Sequence, residues 1–311
     1  MYMWEEAEFF SVLGVDIYAY GLFAALGAAA MIGLMCLLVR ARKMQKGAAQ
    51  LTAVLSLVLG AFFSRLLFCL FSFNLGIPFS LKMLGLFTGG GYSMMGALLG
   101  GFLGAALSAK IMHQKPLAYM DVFSVAALGF VFFARLGEMF VPDFGISRSL
   151  IYEFTTKLPI AIGGEYDSSL ATYLLEAACA LAILLVLLPD LKKQKKPGQT
   201  FVLFLLLFGA SQIIMESLRY DRHMSFTFIR MQQVMAILVL TGGVLYAAVR
   251  AGMKKQCWLL LGGMVLISGI GVGLEFAIDR TEINRYLLYL AFVALVAAPV
   301  YAGMKLRKKG N

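Results

Sequence analysis

The sequence predicts an all-α integral membrane protein, a polytopic bundle of about nine transmembrane helices. Of its 311 residues, 61% are hydrophobic and only 14% are charged, and the mean hydropathy is +0.84. Soluble domains carry about 25% charged residues, so a large soluble core is excluded. Apolar runs recur at about the 20 residues that one spanning helix needs. A porin-like alternation of apolar and polar residues is absent, which argues against a β-barrel.

Nine apolar runs define the predicted helices, and most of the loops between them are short, as in one packed bundle. The runs lie at residues 17–39, 51–73, 92–112, 119–141, 170–189, 200–219, 228–249, 256–276 and 286–304. The longest connection, 142–169, is predicted to work as a lid or a binding arm, because loops of this length usually have a function. "GALLGGFLG" (residues 96–104) contains a G-x-x-x-G pair, which predicts close helix packing.

The net charge of +10 is spread over five basic clusters, each of which follows an odd-numbered helix. The clusters are "RARKMQK" (40–46), "KIMHQK" (110–115), "KKQKK" (192–196), "RAGMKK" (250–255) and "KLRKK" (305–309). By the positive-inside rule this alternation predicts an outer N-terminus and a cytoplasmic C-terminus. The basic charge is therefore interpreted as topology and attraction to anionic lipids, and no nucleic-acid partner is predicted.

The sequence gives no pattern for a metal or a cofactor. Its four cysteines lie in or at the ends of predicted helices without a C-x-x-C pair, so neither a zinc site nor a disulfide framework is indicated. The glycine-rich "TGGGYSMMG" follows no strand and lacks a P-loop lysine, which argues against a nucleotide site.

Ionisable and amide residues inside the predicted spans carry the functional signal, because a charge at the bilayer centre costs at least a few kcal/mol. They are Arg65 in the second helix, Arg135 and Glu138 in the fourth, Glu176 in the fifth, and Gln212, Glu216, Arg219 and Asp221 at the end of the sixth. The predicted topology places Arg65, Arg135, Glu138, Glu216 and Arg219 in the outer halves of their helices. We therefore expect them to line one cavity.

Two pairs in this set have helical i,i+3 spacing, Arg135 with Glu138 and Glu216 with Arg219, so each pair is predicted to meet on one helix face. One interpretation is that neutralised ion pairs hold the bundle together. The other is that two arginines on separate helices bind an anion admitted from the membrane. The planar guanidinium fork suits phosphate, and a phospholipid head group is the obvious anion in an outer-leaflet cavity.

Seven motifs over residues 15–250, in order, resemble those of the bacterial prolipoprotein diacylglyceryl transferases. They are "YAYGLFAALG" with Tyr20, "FSRLLFCLF" with Arg65, "GGGYSMMGALLGG", "FARLGEMFVPD" with Arg135, Gly137 and Asp143, "DSSLATYLLEA" with Glu176, "GASQIIMESLRYD" with Glu216 and Arg219, and "RMQQV" with Met231 and Gln233.

The resemblance implies an enzyme of the bacterial cytoplasmic (inner) membrane that moves diacylglycerol from phosphatidylglycerol to the lipobox cysteine thiol of prolipoproteins. A thioether forms and glycerol phosphate leaves. The implied partners are phosphatidylglycerol, or another anionic phospholipid, and prolipoprotein signal peptides. Arginines would hold the phosphate and offset charge on the leaving group, and the thiol reacts as thiolate. The implied catalytic residues are Arg135, Glu138 and Tyr20, and the implied substrate-binding residues are Arg65, Arg135, Glu216, Arg219, Gln212 and Gln233.

The chain departs from the family pattern at chemical positions. Met95 stands where the family has its histidine, Gln212 stands at an arginine, and Glu138 stands at an asparagine. Two residues are candidates for the missing base. His223, in the predicted outer loop after the sixth helix, would supply an imidazole, and Glu138 would supply a buried carboxylate.

The resemblance divides the chain into a seven-helix domain, residues 1–250, and two further helices with a basic cytoplasmic tail, residues 251–311. Two other functions stay open. A catalytically impaired family member would bind anionic phospholipid or lipoprotein precursors, as expected where the arginines remain and the histidine is lost. A small-anion or lipid transporter would need a charged path toward the cytoplasm, where the helices hold little beyond Asp121.

Overall fold

The computed structural model describes residues 8–12, 15–72, 91–141, 144–150, 153–163, 168–193, 196–221, 224–226, 229–281 and 283–310. Its α-helices are α1 Ala19–Ala41, α2 Ala48–Phe71, α3 Met94–Ile111, α4 Pro116–Gly137, α5 Glu153–Thr156, α6 Thr172–Lys193, α7 Gln199–Leu218, α8 Met231–Arg250, α9 Cys257–Arg280 and α10 Arg285–Lys309. Within these ranges, nine helices are long and apolar enough to cross a membrane. The predicted all-α membrane bundle is therefore confirmed, with helix ends shifted by a few residues.

Short antiparallel strands, which the sequence analysis did not predict, connect some of the helices. The strands are β1 Glu8–Val12, β2 Val15–Tyr18, β3 Ile146–Ser149, β4 Ala161–Gly163, β5 Ser168–Ala171, β6 Ser225–Phe226 and β7 Ile229–Arg230. β1 pairs with β2 and β6 with β7, while β3, β5 and β4 form a three-stranded sheet in that order. That sheet occupies the connection between α4 and α6 that was predicted to be a lid or arm. Strands this short give no readable alternation in sequence.

Helices α2 and α3 approach each other through a line of glycines. A Cβ atom placed on Gly96, Gly100 or Gly104 would lie 2.4, 2.1 or 2.5 Å from a backbone atom of α2. Real Cβ atoms do not come that close, so only glycine permits this helix spacing. The predicted G-x-x-x-G packing is thereby confirmed, and it fixes one wall of the cavity described below.

The basic clusters lie together at one end of the bundle. Arg42 Nη1 donates to the carbonyl of Leu191 at 2.5 Å, and Arg250 Nη1 donates to the carbonyl of Pro197 at 2.5 Å. In the C-terminal cluster, Arg307 pairs with Asp190. Clusters that follow four different helices therefore meet on one side, as the alternating charge pattern requires.

Asp121, the acid noted in the inner half of the bundle, has a structural role. Its carboxylate is fully buried and accepts hydrogen bonds from the backbone N–H groups of Gly198, at 2.6 Å, and Phe201, at 2.8 Å. The bonds satisfy N–H groups at the start of α7 that have no partner within the helix. A charged transport path needs an acid that is available to cargo, and Asp121 does not provide it.

The last two helices pack on α7 and α8. Phe292 and Val296 of α10 are buried in the hydrophobic core, and Gly303 meets the side chain of Leu206. Tyr289 also donates a hydrogen bond to the carbonyl of Ser217 at 3.3 Å. The division into residues 1–250 and 251–311 stays a prediction.

The orientation in the membrane also stays a prediction, and a reporter fusion tests it. We expect alkaline phosphatase fused after Asn311 to be inactive and a fluorescent protein at the same site to be bright, because the basic end should face the cytoplasm. Fusions in the loop after α2 should show the opposite pattern. An active phosphatase at the C-terminus would contradict the predicted topology.

Candidate functional site

A cavity of about 630 Å³ lies among α1, α2, α3 and α4. Most of its wall is apolar or small, and along α4 and the turn that follows it the lining extends from Phe123 to Glu138. Fifteen helical steps correspond to a depth of about 22 Å. Its large polar side chains lie at or beside the helix ends opposite the basic clusters, and they are Tyr18, Tyr20, Tyr92, Arg135, Glu138 and Gln232. The cavity thus combines a long apolar shaft with a polar end.

Two arginines and two glutamates form a closed, buried ion-pair network beside this polar end. Arg135 pairs with Glu138, and its Nε lies 2.7 Å from Glu176 Oε2. Arg219 Nη1 lies 3.1 Å from Glu138 Oε2 and 2.8 Å from Glu176 Oε1. Each arginine therefore contacts both glutamates, and all four side chains are almost fully buried. The predicted contact between Arg135 and Glu138 is confirmed.

The predicted pair between Glu216 and Arg219 does not form. Arg219 directly follows Leu218, the last residue of α7, and its N–H still donates to the carbonyl of Met215, but its guanidinium is turned toward other acids. Arg219 Nε instead pairs with Asp221 Oδ2 at 2.9 Å, and its guanidinium lies 4.7 Å from the ring centre of Phe144. The guanidinium of Arg219 therefore lies toward Glu138, Glu176 and Asp221 and not toward Glu216.

Glu216 lies beside this network without joining it. Its carboxylate is buried, and Oε1 has no hydrogen-bond partner. Counting Asp221, four carboxylates surround Arg135 and Arg219 in the part of the chain that the structure describes. Both guanidinium groups are thus already neutralised, and an entering phosphate must compete with a carboxylate for them.

Gln212 stands where the resemblance has an arginine, and it joins the network through an amide. Arg135 Nη2 donates to Gln212 Oε1 at 3.3 Å. An amide adds no charge to this buried set, whereas an arginine there would offset part of the acidic excess.

Arg65 is buried at 2% exposure but does not line the cavity. Its Nη1 donates to the carbonyl of Gly91 at 2.8 Å, and its guanidinium lies 5.8 Å from the ring centre of Tyr92. Because Tyr92 lines the cavity, the contact of Arg65 with the polar end is indirect, through this ring.

Three other predicted residues have different positions. Met95, at the family's histidine position, packs in the hydrophobic core, and its neighbour Met94 lines the cavity instead. Gln233 points away from the cavity toward α9, whereas Gln232, which the sequence analysis did not select, lines it. His223 lies outside the described residues, so the structure does not place this candidate base.

The structure therefore brings Tyr20, Arg135 and Glu138 together at one cavity and connects Arg219 and Gln212 to them. Fold and site together define a polytopic membrane protein with a buried charged network at the end of an apolar cavity. Residues 7–249 match the prolipoprotein diacylglyceryl transferase family, and the chain belongs to that family.

Individual relatives are distant. The chain is 24% identical over 238 residues to the phosphatidylglycerol–prolipoprotein diacylglyceryl transferase of Clostridioides difficile, which covers 76% of this chain and 92% of that protein. It is 26% identical over 156 residues to the enzyme of the same name from Clostridium novyi, covering 48% and 60% of the two chains. For the one from Staphylococcus aureus strain Newman, the identity is 26% over 160 residues, covering 49% and 56%. The matches to the last two thus span less than two thirds of those proteins.

Proposed function

We propose that this chain transfers the diacylglyceryl group of phosphatidylglycerol to the lipobox cysteine of prolipoproteins. The observation that supports this most is the cavity, in which an apolar shaft long enough for acyl chains ends at Arg135 and Glu138. Family membership and the names of the relatives specify the reaction. The fold places the chain in a membrane, and we propose the bacterial cytoplasmic membrane.

The transfer exchanges one bond for another. The cysteine sulfur forms a bond to a glyceryl carbon, and the bond from that carbon to the phosphate oxygen breaks, with its electron pair going to the oxygen. Glycerol phosphate leaves, and the thiol proton must go to a base because the thiolate is the nucleophile. The site therefore needs a cation for the phosphate and a proton acceptor near the sulfur.

Arg135 and Glu138 are the groups we assign to these two tasks. Arg135 is the guanidinium that lines the cavity, and its two-pronged geometry suits a phosphate. A phosphate bound to Arg135 would displace Glu138 from that arginine. Glu138 would stay paired with Arg219, whose Nη1 lies 3.1 Å from Glu138 Oε2. The displaced carboxylate, still at the cavity wall, is the proposed proton acceptor. Tyr20 lines the same end and is proposed to orient the head group.

One observation favours the alternative that the chain binds lipid without transferring it. Met95 offers no base, and His113, the histidine that the structure describes, lies in an exposed turn after α3 at the basic end. Phosphatidylglycerol bound tightly by a chain that transfers nothing would fit this alternative.

A transfer assay with purified protein tests the proposal. We expect a lipobox peptide to gain the mass of diacylglyceryl in nanodiscs containing phosphatidylglycerol, and the same peptide with serine in place of cysteine to gain nothing. We also expect Glu138→Gln to reduce the rate at least about tenfold, because general bases contribute factors of about 10² to 10⁴. Phosphatidylglycerol should bind more tightly than a zwitterionic lipid, and Arg135→Ala should weaken binding more than Lys157→Ala in the outer loop.

The outcomes separate the candidate functions. Transfer that depends on Glu138 supports the enzyme and its assigned base. Selective lipid binding without transfer supports the binding alternative. Full transfer that survives Glu138→Gln would show that another group takes the proton.

A further inference from the structure

Gln232 carries an unused hydrogen-bond acceptor within the wall of the cavity. Its side chain is 4% exposed and belongs to the cavity wall that also includes Arg135. Its Oε1 is buried and has no hydrogen-bond partner. Buried acceptors are almost always satisfied, so an unsatisfied one in a cavity wall could take a hydrogen bond from a molecule that enters the cavity.

Gln233, the next residue, is held on a different face of α8. Its Nε2 donates to Glu275 Oε1 at 2.5 Å, with the carbonyl of Ile213 at 3.4 Å. Consecutive helical side chains point about 100° apart, so anchoring Gln233 toward α7 and α9 turns Gln232 toward the cavity. Glu275 belongs to α9, beyond the residues that match the family.

We propose that Gln232 selects the lipid head group by accepting a hydrogen bond from one of its hydroxyls, and that Glu275 positions Gln232 through Gln233. This inference rests on the proposed function, because it concerns the lipid donor in the same cavity. The head group of phosphatidylglycerol combines a phosphate, for Arg135, with two free hydroxyls. A carboxamide oxygen accepts from a hydroxyl but repels the oxygens of a bare phosphate.

A pair of donor lipids isolates the hydroxyl. Phosphatidylmethanol has the same phosphodiester charge and the same scissile bond as phosphatidylglycerol, but it carries no free hydroxyl. We expect wild-type protein to prefer phosphatidylglycerol, with kcat/KM about tenfold higher, since a site built for a hydroxyl discriminates against its absence. In Gln232→Met, which keeps side-chain length and loses the acceptor, the ratio should approach one.

Two further variants test the positioning role. Glu275→Gln keeps an oxygen that accepts from Gln233 and should keep the preference, whereas Glu275→Met should reduce it. The matched control is Gln199→Met at the basic end, because Gln199 is also buried with an unpartnered Oε1 but lies outside the cavity lining. This control should keep the wild-type ratio, and equal melting temperatures would show that every variant is folded.

Lipid binding, measured by native mass spectrometry, distinguishes a failure of the Gln232 inference from a failure of the proposed function. Transfer by wild-type protein with an unchanged lipid ratio in Gln232→Met overturns the inference and leaves the proposed function standing. Absence of transfer in every variant, with binding preference for phosphatidylglycerol lost in Gln232→Met, overturns the proposed function and supports Gln232 as the selecting residue. A wild-type ratio in Glu275→Met overturns the positioning role.

Discussion

Replacing Gly100 by alanine should destabilise the bundle severely, although it adds only one methyl group. That methyl would lie 2.1 Å from the backbone oxygen of Leu59 and 2.7 Å from the backbone nitrogen of Gly60. Overpacking typically costs about 1–3 kcal/mol. Here no side-chain rotation relieves the clash, so we expect the upper end of that range or more. Thermal unfolding in detergent, followed by size-exclusion chromatography, measures the effect.

The bundle offers matched glycine controls. Gly33 in α1 and Gly262 in α9 have no atom within 4 Å of the place that a Cβ would occupy. Alanine at either position should be neutral or stabilising by up to about 1 kcal/mol, because alanine is the better helix former. Gly100→Ala protein as stable as Gly33→Ala would show that α2 and α3 are not held at the spacing described here. Because both helices line the cavity, we also expect Gly100→Ala to lose lipid transfer.

The features that the sequence predicted correctly depend on the spacing of residues along a single helix. The nine long helices of the described residues follow from apolar runs of spanning length, and the close contact of α2 with α3 follows from glycines spaced four residues apart. The contact of Arg135 with Glu138 follows from their separation of three residues at the end of one helix. In each case the helical period alone places the groups.

The remaining features depend on which way side chains and helices are turned. The N–H of Arg219 still bonds to the last turn of α7, but its guanidinium is turned toward Glu138, Glu176 and Asp221, and helical spacing does not reveal that direction. Choosing between Gln232 and Gln233 requires the rotation of α8 against its neighbours, which two adjacent glutamines do not reveal. Met95 and Met94 present the same ambiguity on α3.

The interpretation of the arginines changes most with the structure. From the sequence, neutralised ion pairs and an anion site are alternative interpretations. The structure shows Arg135 and Arg219 each paired with both Glu138 and Glu176, while Arg135 also lines the cavity. The ion pairs and the proposed phosphate site therefore share one arginine, and lipid binding becomes a competition between phosphate and carboxylate.

Removing Arg135 should therefore have two separable effects. In Arg135→Met, Glu138 and Glu176 keep Arg219 as their one cation among the described residues, and breaking a buried ion pair from one side costs about 3–5 kcal/mol. Lipid transfer should disappear, because the cavity loses its phosphate-binding group. Adding Glu138→Gln removes the uncompensated carboxylate, so the double variant should regain much of the stability but none of the transfer. Calorimetric or fluorescence melting together with the peptide assay measures both effects.

The control for this variant is Arg307→Met at the basic end of the bundle. Arg307 also pairs with an acid, Asp190, but both side chains are partly exposed, at 13% and 21%. Partly exposed pairs contribute about 0–1 kcal/mol, so we expect little change in stability and no change in transfer. If Arg135→Met kept native transfer, the phosphate-binding role of Arg135 would be wrong. If it kept native stability as well, the carboxylates around it would have to be protonated rather than paired, because two buried anions sharing one arginine would otherwise destabilise the fold.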